Sequence, residues 1–508
     1  MNRYGAVDIG SNSIRMQAAE VVAGEPIRTL VEDREVTRLG ESVFRDGVVS
    51  PEAMDRTGRV LRRMADGLKA AGVDVFRAVA TSAVRDARNQ DEFLLRAQLA
   101  LGGVRPEIIS GAEEARLIHL GVQTRWPQPS ERILIIDIGG GSAEVIESNA
   151  GEVRSALSKP LGAVRLTRLF LSDDPPNPKA LQQFEDFVHE KIESIKQDIL
   201  GGSFDHVIAT AATGAAVIRA IEGIPTSDGA KADRARVDTP QVRELYESLA
   251  RQNVRERSVV PGIGGRRAEI IIAGAGVLVL LLEGLGADHC WHSAAGVRDG
   301  VIADLAAHGL EFSRNRLDAD QLQTVSKLAN RCGVNSAHSE CVARLAGGLF
   351  EALEPLHQLG PEYGGLLEAA AYLHDAGHFV SSTRHHRHSF YLVANADLPG
   401  FVADDRFFIA NLCRYHRKNM PKRSQENFRD LSAERQQALL ALIPILRIAD
   451  SLDRSHRQLV EGVKIETTER QVTLRLSGAG DLALEQWGAE QHAAVFSQVY
   501  GKPLVVDC

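Results

Sequence analysis

Two seven-residue stretches, 129 positions apart, repeat one pattern of chemistry-bearing residues. "VDIGSNS" (Val7 to Ser13) and "IDIGGGS" (Ile136 to Ser142) each carry an apolar run to an aspartate, place glycine two residues on, and close on serine. A glycine turn has no Cβ to keep an anion from the backbone amides. Gly10, Ser11, Asn12 and Ser13 in the first copy, with Gly139, Gly140, Gly141 and Ser142 in the second, are therefore candidates to cradle phosphate. Asp8 and Asp137 would repel a phosphate directly, so a hydrated Mg²⁺ between them and it reconciles the two charges. One such turn reads as an ordinary β-turn, where Asp and Gly are common. Two matching copies point to a clamp.

A second set of chemistry-bearing residues lies in the last third. Nine of the sixteen histidines fall between His338 and His456. His338, the doublet His374–Asp375, and Asp450 occupy separate helix-like segments, and this mix of imidazole and carboxylate suits Mn, Fe, Zn, Ni or Mg-type divalent ions. His385, His388 and His416 are further candidates, for a second ion or a phosphate. His357, His378 and His456 are assigned no role, because isolated histidines are ordinarily structural or exposed. Between Arg384 and Arg423 eight Lys/Arg face three Asp, a local charge of +5 that suits a polyanion.

These residues must be positioned by several domains. A chain of 508 residues is too long for one core. Both glycine turns follow strand-like runs and open regions that alternate strand and helix: "VFRAVATSAVRDA" and "RPEIISGAEEARLIHLGV" after the first, "HVIATAATGAAVIRAI" after the second. "RWPQPSER" (Arg125 to Arg132) reads as a linker, and Glu222 to Pro240 as a mobile surface loop rich in turn formers. From Asp320 to His456 the pattern is amphipathic helix. The last fifty residues, with "VKIETTERQVTLRLSG", alternate like a β-hairpin. The expected divisions are 1–126, 127–305, 306–456 and 457–508.

Composition excludes several classes. Hydrophobic content of 44% and charged content of 25% describe a globular protein. The net charge of −8 argues against a general nucleic-acid binder. "EIIIAGAGVLVLLLEGLG" is short for a bilayer span and broken by glycines, so a buried helix is expected. Arg3 leads straight into a strand-like run, which leaves no signal peptide, and five cysteines without a CxxC pair fit reduced thiols. A cytoplasmic protein is expected, with no membrane partner.

Paired "DIG" turns resemble the actin/sugar kinase/Hsp70 fold, two RNase H-like α/β lobes around a cleft. Within that fold, "AVDIGSNSIRM", "RLGESV", "ATSAVRDARN", "IISGAEEARLIHLGV", "IDIGGGSAEVI" and "VRDGVI" resemble, in order over residues 1 to about 305, the exopolyphosphatase/guanosine pentaphosphate phosphatase (Ppx/GppA) family. The resemblance implies that Glu114 is the base that activates water, Glu144 a second essential acid, and Arg85 a phosphate contact. It makes Thr213 and Gly214 of "TAATGAAVI" a further turn, departing from the family's usual serine-glycine-threonine. From position alone Glu113 and Glu114 are only helix first-turn acids favoured by the dipole.

His338, His374–Asp375 and Asp450 together resemble the HD phosphohydrolase superfamily. That implies an all-α HD domain with its own divalent metal, followed by the small β-containing tail. The expected activity is Mg²⁺-dependent release of orthophosphate from the ends of inorganic polyphosphate. The alternatives are 5′-phosphate hydrolysis of guanosine pentaphosphate, a phosphate- or alarmone-binding regulator that turns nothing over, and a small-molecule kinase of the same fold. A homodimer is implied by the family alone.

Overall fold

Each aspartate–glycine stretch ends the first strand of its own sheet. In the computed structural model, residues 2–22, 25–73, 75–126, 131–199, 202–226, 229–308, 316–317, 319–468 and 470–507 are described. The first sheet runs β3(Arg28–Val36)-β2(Ser13–Val21)-β1(Asn2–Ile9)-β4(Val75–Ala80)-β5(Glu107–Ile108). The second runs β10(Arg236–Asp238)-β11(His289–His292)-β9(His206–Thr210)-β6(Arg132–Ile138)-β7(Ala143–Asn149)-β8(Glu152–Lys159). Both have the same plan: three antiparallel strands in series, then parallel neighbours on the other side of the first strand. β6 and β7 are buried along nearly their whole length, which is why they read as continuous apolar runs.

Two helices trade places between these sheets. α3 (Gly111–Arg125) follows the first sheet in the chain, yet its Ala115, Ile118 and Val122 pack with Ile133, Ile135 and Ile146 of the second. α7 (Val297–His308) follows the second sheet and returns Val301, Ile302 and Leu305 to Tyr4, Ala6 and Val79 of the first. The helices cross at backbone contact: a Cβ on Gly300 would lie 1.8 Å from the Leu117 carbonyl oxygen, and one on Gly121 2.2 Å from that of Gly296. No larger residue fits either position. Ile118 is fully buried, and truncating such a side chain costs roughly 2–5 kcal/mol.

The apolar stretch near residue 275 is a buried helix, α6 (Ile271–Gly284), with every residue from Ile271 to Leu282 inside the core. No helix among the described residues is long and apolar enough to cross a membrane. Cys290, Cys332, Cys341 and Cys413 are buried free thiols.

By its contacts the chain divides into Met1–Leu310 and Glu311–Cys508. The second unit is helical, built around α8 (Ser336–Ala352), α9 (Glu362–Leu373), α10 (His385–Ala394), α11 (Ala403–Tyr415) and α12 (Ala433–Ser451). A three-stranded sheet follows, β12(Val460–Thr467)-β13(Val472–Gly478)-β14(Leu504–Asp507). The expected hairpin is β12–β13; β14, parallel to β13, is an addition the pattern did not announce, because four residues are too few to show alternation. The stretch expected as a loop at Glu222 to Pro240 contributes β10, which pairs with β11 and buries Val237 at the sheet edge. Residues 127–130 of the expected linker lie outside the described residues.

Candidate functional site

The two glycine turns have the same hydrogen bonding: Gly10 N–H donates to the Ser13 carbonyl at 3.2 Å, and Gly139 N–H to that of Ser142 at 3.0 Å. Their carbonyls are occupied from outside. The Ser11 oxygen accepts from Gly40 at 2.7 Å, at the start of α1 (Leu39–Asp46), and the Asn12 oxygen from Thr37 and Arg38. The Gly139 and Gly140 oxygens accept from Ala163, Val164 and Arg165, which open α4 (Ala163–Phe170). With their acceptor oxygens so engaged, the turns can meet an anion with amides and hydroxyls. The turns also touch: a Cβ on Gly140 would sit 3.0 Å from Ser11 Cβ, and one on Gly141 2.7 Å from Ser11 Oγ.

Both turns, with Asp8, Asp137 and Glu114, line one cavity of about 630 Å³. Ser110 caps α3 by accepting the Glu113 amide at 3.1 Å, which sets Glu113 and Glu114 on its first turn. Glu113 points into a buried ion network: Arg116 meets it with two bonds of 2.8 and 2.9 Å, Arg77 lies at 3.4 Å, and both arginines also hold Asp304. Glu114 faces the cavity, with Arg85 Nη1 3.5 Å from its carboxylate. Arg85 also donates to the Ile109 carbonyl at 2.7 Å. Glu144 is buried behind the cavity wall and accepts from Ser158 Oγ at 2.7 Å.

Four carboxylates meet at this place, and burial raises the pKa of each. Burial first, and then repulsion from Glu144, push Glu114 well above the usual carboxylate range. Glu144 is raised by burial, partly opposed by hydrogen bonds from Ser158 and Ser142. Asp137 is pushed up to about 8 by burial and then Glu144, and Asp8 is raised by burial against the pull of Arg15. A divalent cation would reverse these shifts, and an all-oxygen donor set suits Mg²⁺. Three metal donors within mutual reach are not found in the cleft among the described residues. A cation there would complete its shell with water and phosphate oxygens, as Mg²⁺ ordinarily does.

Arg15, Arg34, Arg219, Arg267 and Arg298 line the same cavity as these acids. Arg298 pairs with Glu32 at 3.3 Å, whereas Arg15, Arg34, Arg219 and Arg267 form no ion pair among the described residues. Burial, then repulsion from neighbouring arginines, lowers the pKa of Arg15 and Arg267. Sequence reasoning missed this set, since the residues are scattered over more than 280 positions and no local charge run marks them. Thr213 lies on the cavity wall, but its hydroxyl donates to the Ile138 carbonyl at 2.8 Å, which makes it a support beneath the second turn. Gly214 packs on Ala209.

The second unit gathers histidines into two donor groups, His338/His374/Asp450 and Asp375/His385/His416. In the first, His338 Nδ1 meets Asp453 Oδ2 at 2.8 Å and His374 Nδ1 meets the Ala371 carbonyl at 2.7 Å. Those bonds engage Nδ1 and turn each Nε2 toward Asp450 Oδ1, 3.4 and 3.5 Å away. Against burial, the neighbouring carboxylates raise both pKa values, to about 9 for His338, so a bound cation would displace a proton from each. Both Nε2 atoms are buried without a hydrogen-bond partner. In the second group, His416 Nδ1 bonds the Cys413 carbonyl at 2.6 Å, and His385 and His416 turn their Nε2 atoms toward each other at 3.2 Å. Asp375 Oδ1 is 3.4 Å from one and 3.8 Å from the other. Imidazole nitrogens converging on carboxylates are the donor chemistry of a divalent transition metal.

Asp375 spans the two groups, with Oδ1 toward His385 and His416 and Oδ2 3.7 Å from His374 Nε2, whereas His388 falls in neither. His378 and His456, to which the sequence assigned no role, stack on His385 at 4.0 Å and on His338 at 3.9 Å. Asp453, which orients His338, was also missed; its spacing from Asp450, three residues along the chain, was the available signal.

Residues 18–308 match the family model described as Ppx/GppA phosphatase family, and residues 321–487 match Ppx/GppA phosphatase, domain III. Among solved structures, a Ppx/GppA family member from Aquifex aeolicus is 28% identical, with TM-score 0.53, covering 60% of this chain and 98% of its own. An exopolyphosphatase-like protein is 29% identical, with TM-score 0.56, covering 60% of this chain and 97% of its own. An exopolyphosphatase from Cytophaga hutchinsonii, 24% identical with TM-score 0.55 over 60% of this chain and 98% of its own, shares the fold.

Proposed function

This chain belongs to the Ppx/GppA phosphatase family, and from that footing we propose that it is an exopolyphosphatase, releasing orthophosphate from the ends of inorganic polyphosphate. One observation carries the preference over guanosine pentaphosphate. The cavity that holds the glycine turns is walled by Arg15, Arg34, Arg219 and Arg267, which form no ion pair among the described residues, a surface for consecutive phosphates. A guanine would want an apolar slot, and the most apolar helix near the cleft, α6, is buried throughout, with only the adjacent Ile270 on the cavity wall.

The two turns hold the terminal phosphate between their amides and hydroxyls, and Arg85 steadies Glu114 beside it. Glu114, as carboxylate, takes a proton from water as the water oxygen attacks the terminal phosphorus. The anhydride P–O bond breaks, and the shortened chain leaves with the bonding electrons on its own terminal oxygen. Mg²⁺ held by Asp8 and Asp137 would supply the positive charge that offsets the developing negative charge. Glu144 then keeps the acid set at a charge that a divalent ion matches. Measuring orthophosphate release from long polyphosphate beside guanosine pentaphosphate, in Mg²⁺, tests this reading. Release from the nucleotide alone would overturn it.

In the second unit, His338, His374 and Asp450 bind one divalent metal, and Asp375, His385 and His416 are placed for another. This HD-type centre serves either a second phosphohydrolase or a metal-stiffened platform for the chain, and the basic Arg384–Arg423 segment suits both. The protein is cytoplasmic and a homodimer on this reading; sedimentation of the purified chain checks the oligomeric state.

A further inference from the structure

One guanidinium spans the two α/β lobes at the point where the glycine turns meet. Arg165, on the first turn of α4, donates Nε to the Gly141 carbonyl at 2.7 Å. Its Nη2 donates to Ser82 Oγ at 3.1 Å and pairs with Asp86, both on α2 (Ser82–Asp86) of the opposite lobe. The same guanidinium lies over the Phe44 ring of α1, 4.1 Å from its centroid. From α2 the connection continues, because the Ala83 amide donates to Ser11 Oγ at 3.2 Å. The second turn is thereby tied through Arg165 and α2 to the first.

Arg298 also bridges the lobes, to Glu32 and the Met16 carbonyl, but away from the meeting turns; near them, this contact differs from two exposed pairs. Arg38–Glu269 and Arg168–Glu41 join side chains that are each about a third to a half exposed, where solvent screens them. Arg165 is 19% exposed and engages a carbonyl, a hydroxyl, a carboxylate and an aromatic face at once. Planar guanidinium geometry allows that combination and an ammonium does not. Nε and Nη2 are both committed to protein acceptors, so Arg165 acts through the turns.

We propose that Arg165 is a positioning residue for terminal-phosphate hydrolysis: it holds the two glycine turns in register across the lobes, keeping the cleft closed before substrate arrives. The proposal rests on the phosphohydrolase reading of the cleft. Without this tie the closed form is a smaller fraction of the free protein, and apparent affinity falls by that fraction. Saturating substrate still draws the lobes together, so turnover is spared.

The test uses the full chain with a spin-label pair at Leu99→Cys and Glu190→Cys, positions that are 74% and 70% exposed. Arg165→Ala is expected to lengthen or broaden the inter-lobe distance and to raise KM for polyphosphate about tenfold, with kcat within about twofold. Arg165→Lys should recover the distance only in part. Asp86→Ala should add little on top of Arg165→Ala, because the two share one contact. Unchanged distance and KM, a fall in kcat with KM unchanged, or full additivity with Asp86→Ala would each overturn the proposal. Should Arg165→Ala not fold, Arg165→Lys and Asp86→Asn are judged by the same measurements. If the parent protein releases no phosphate from polyphosphate, the activity reading fails, while the label distances still decide whether Arg165 closes the cleft.

Discussion

Asp137 and Glu144 are direct cross-strand partners in the β6–β7 hairpin, at the register position where β1 and β2 pair Asp8 with Arg15. The duplicated lobes thus keep the aspartate and exchange its partner's sign. On one side the acid is opposed by a guanidinium, on the other by a second acid. The cleft inherits a polarity from that exchange, with acids over the second turn and the arginine wall beginning at Arg15.

Glu113 and Glu114 are adjacent in sequence and should separate cleanly in experiment. Glu114→Gln is expected to abolish phosphate release and leave the melting temperature within a few degrees. Glu113→Gln leaves Arg116 and Arg77 short of charge in a buried network, which costs roughly 3 kcal/mol. Activity assays beside thermal melts of both variants check the pair.

The arginine wall predicts a dependence on substrate length. Arg267→Ala should weaken binding of long polyphosphate about tenfold or more, and a short chain much less, because distal phosphates lose a partner. It should also flatten the salt dependence of KM, since fewer phosphate charges are neutralised. Steady-state KM across chain lengths and salt concentrations reads both.

His119 gives a pH signature of folding. It is 5% exposed, its Nε2 has no hydrogen-bond partner, and burial pushes its pKa down to about 4. Unfolded, it takes up a proton near its ordinary value of 6.5. The folded protein therefore holds this stability fully above 6.5 and loses it as pH falls from there toward 4, by up to roughly 3 kcal/mol. Denaturation midpoints between pH 7.5 and 5 should fall more steeply for the parent than for His119→Gln.

Chelation should separate the two units. Elemental analysis of the purified protein is expected to find a transition metal that a His338→Ala/His374→Ala double variant lacks. Exhaustive chelation should lower the stability of the second unit, where the two His/Asp groups then lose the ion that joins their helices. Hydrogen exchange resolved along the chain would show that loss in residues after 311 and not in the cleft.

The glycine turns were legible in the sequence because each is a local pattern of strand, aspartate and turn; Glu114 was singled out from Glu113 only by the family resemblance. Seeing that pattern twice announced two α/β regions of one plan, though not the order of their strands. The arginine wall and Arg165 were not legible, for they are assembled by tertiary structure from residues with no spacing in common. The histidine groups were half legible. Sequence adjacency joined His374 with Asp375, which lie 3.7 Å apart, but did not show that the other oxygen of Asp375 turns to His385 and His416. Composition likewise hid β10 and β14, strands of three and four residues that exist because a neighbouring edge accepts them.

The exchange of α3 and α7 has a consequence for synthesis. As the chain leaves the ribosome, the first sheet is complete once Ile108 has emerged, yet the helix that covers Tyr4, Ala6 and Val79 ends only at His308. For some two hundred residues of translation that apolar face has only Ile109 and Leu117 to cover it. The N-terminal lobe therefore cannot finish folding as an independent cotranslational unit. The two lobes must mature together, late, and with an exposed surface that a chaperone is suited to shield.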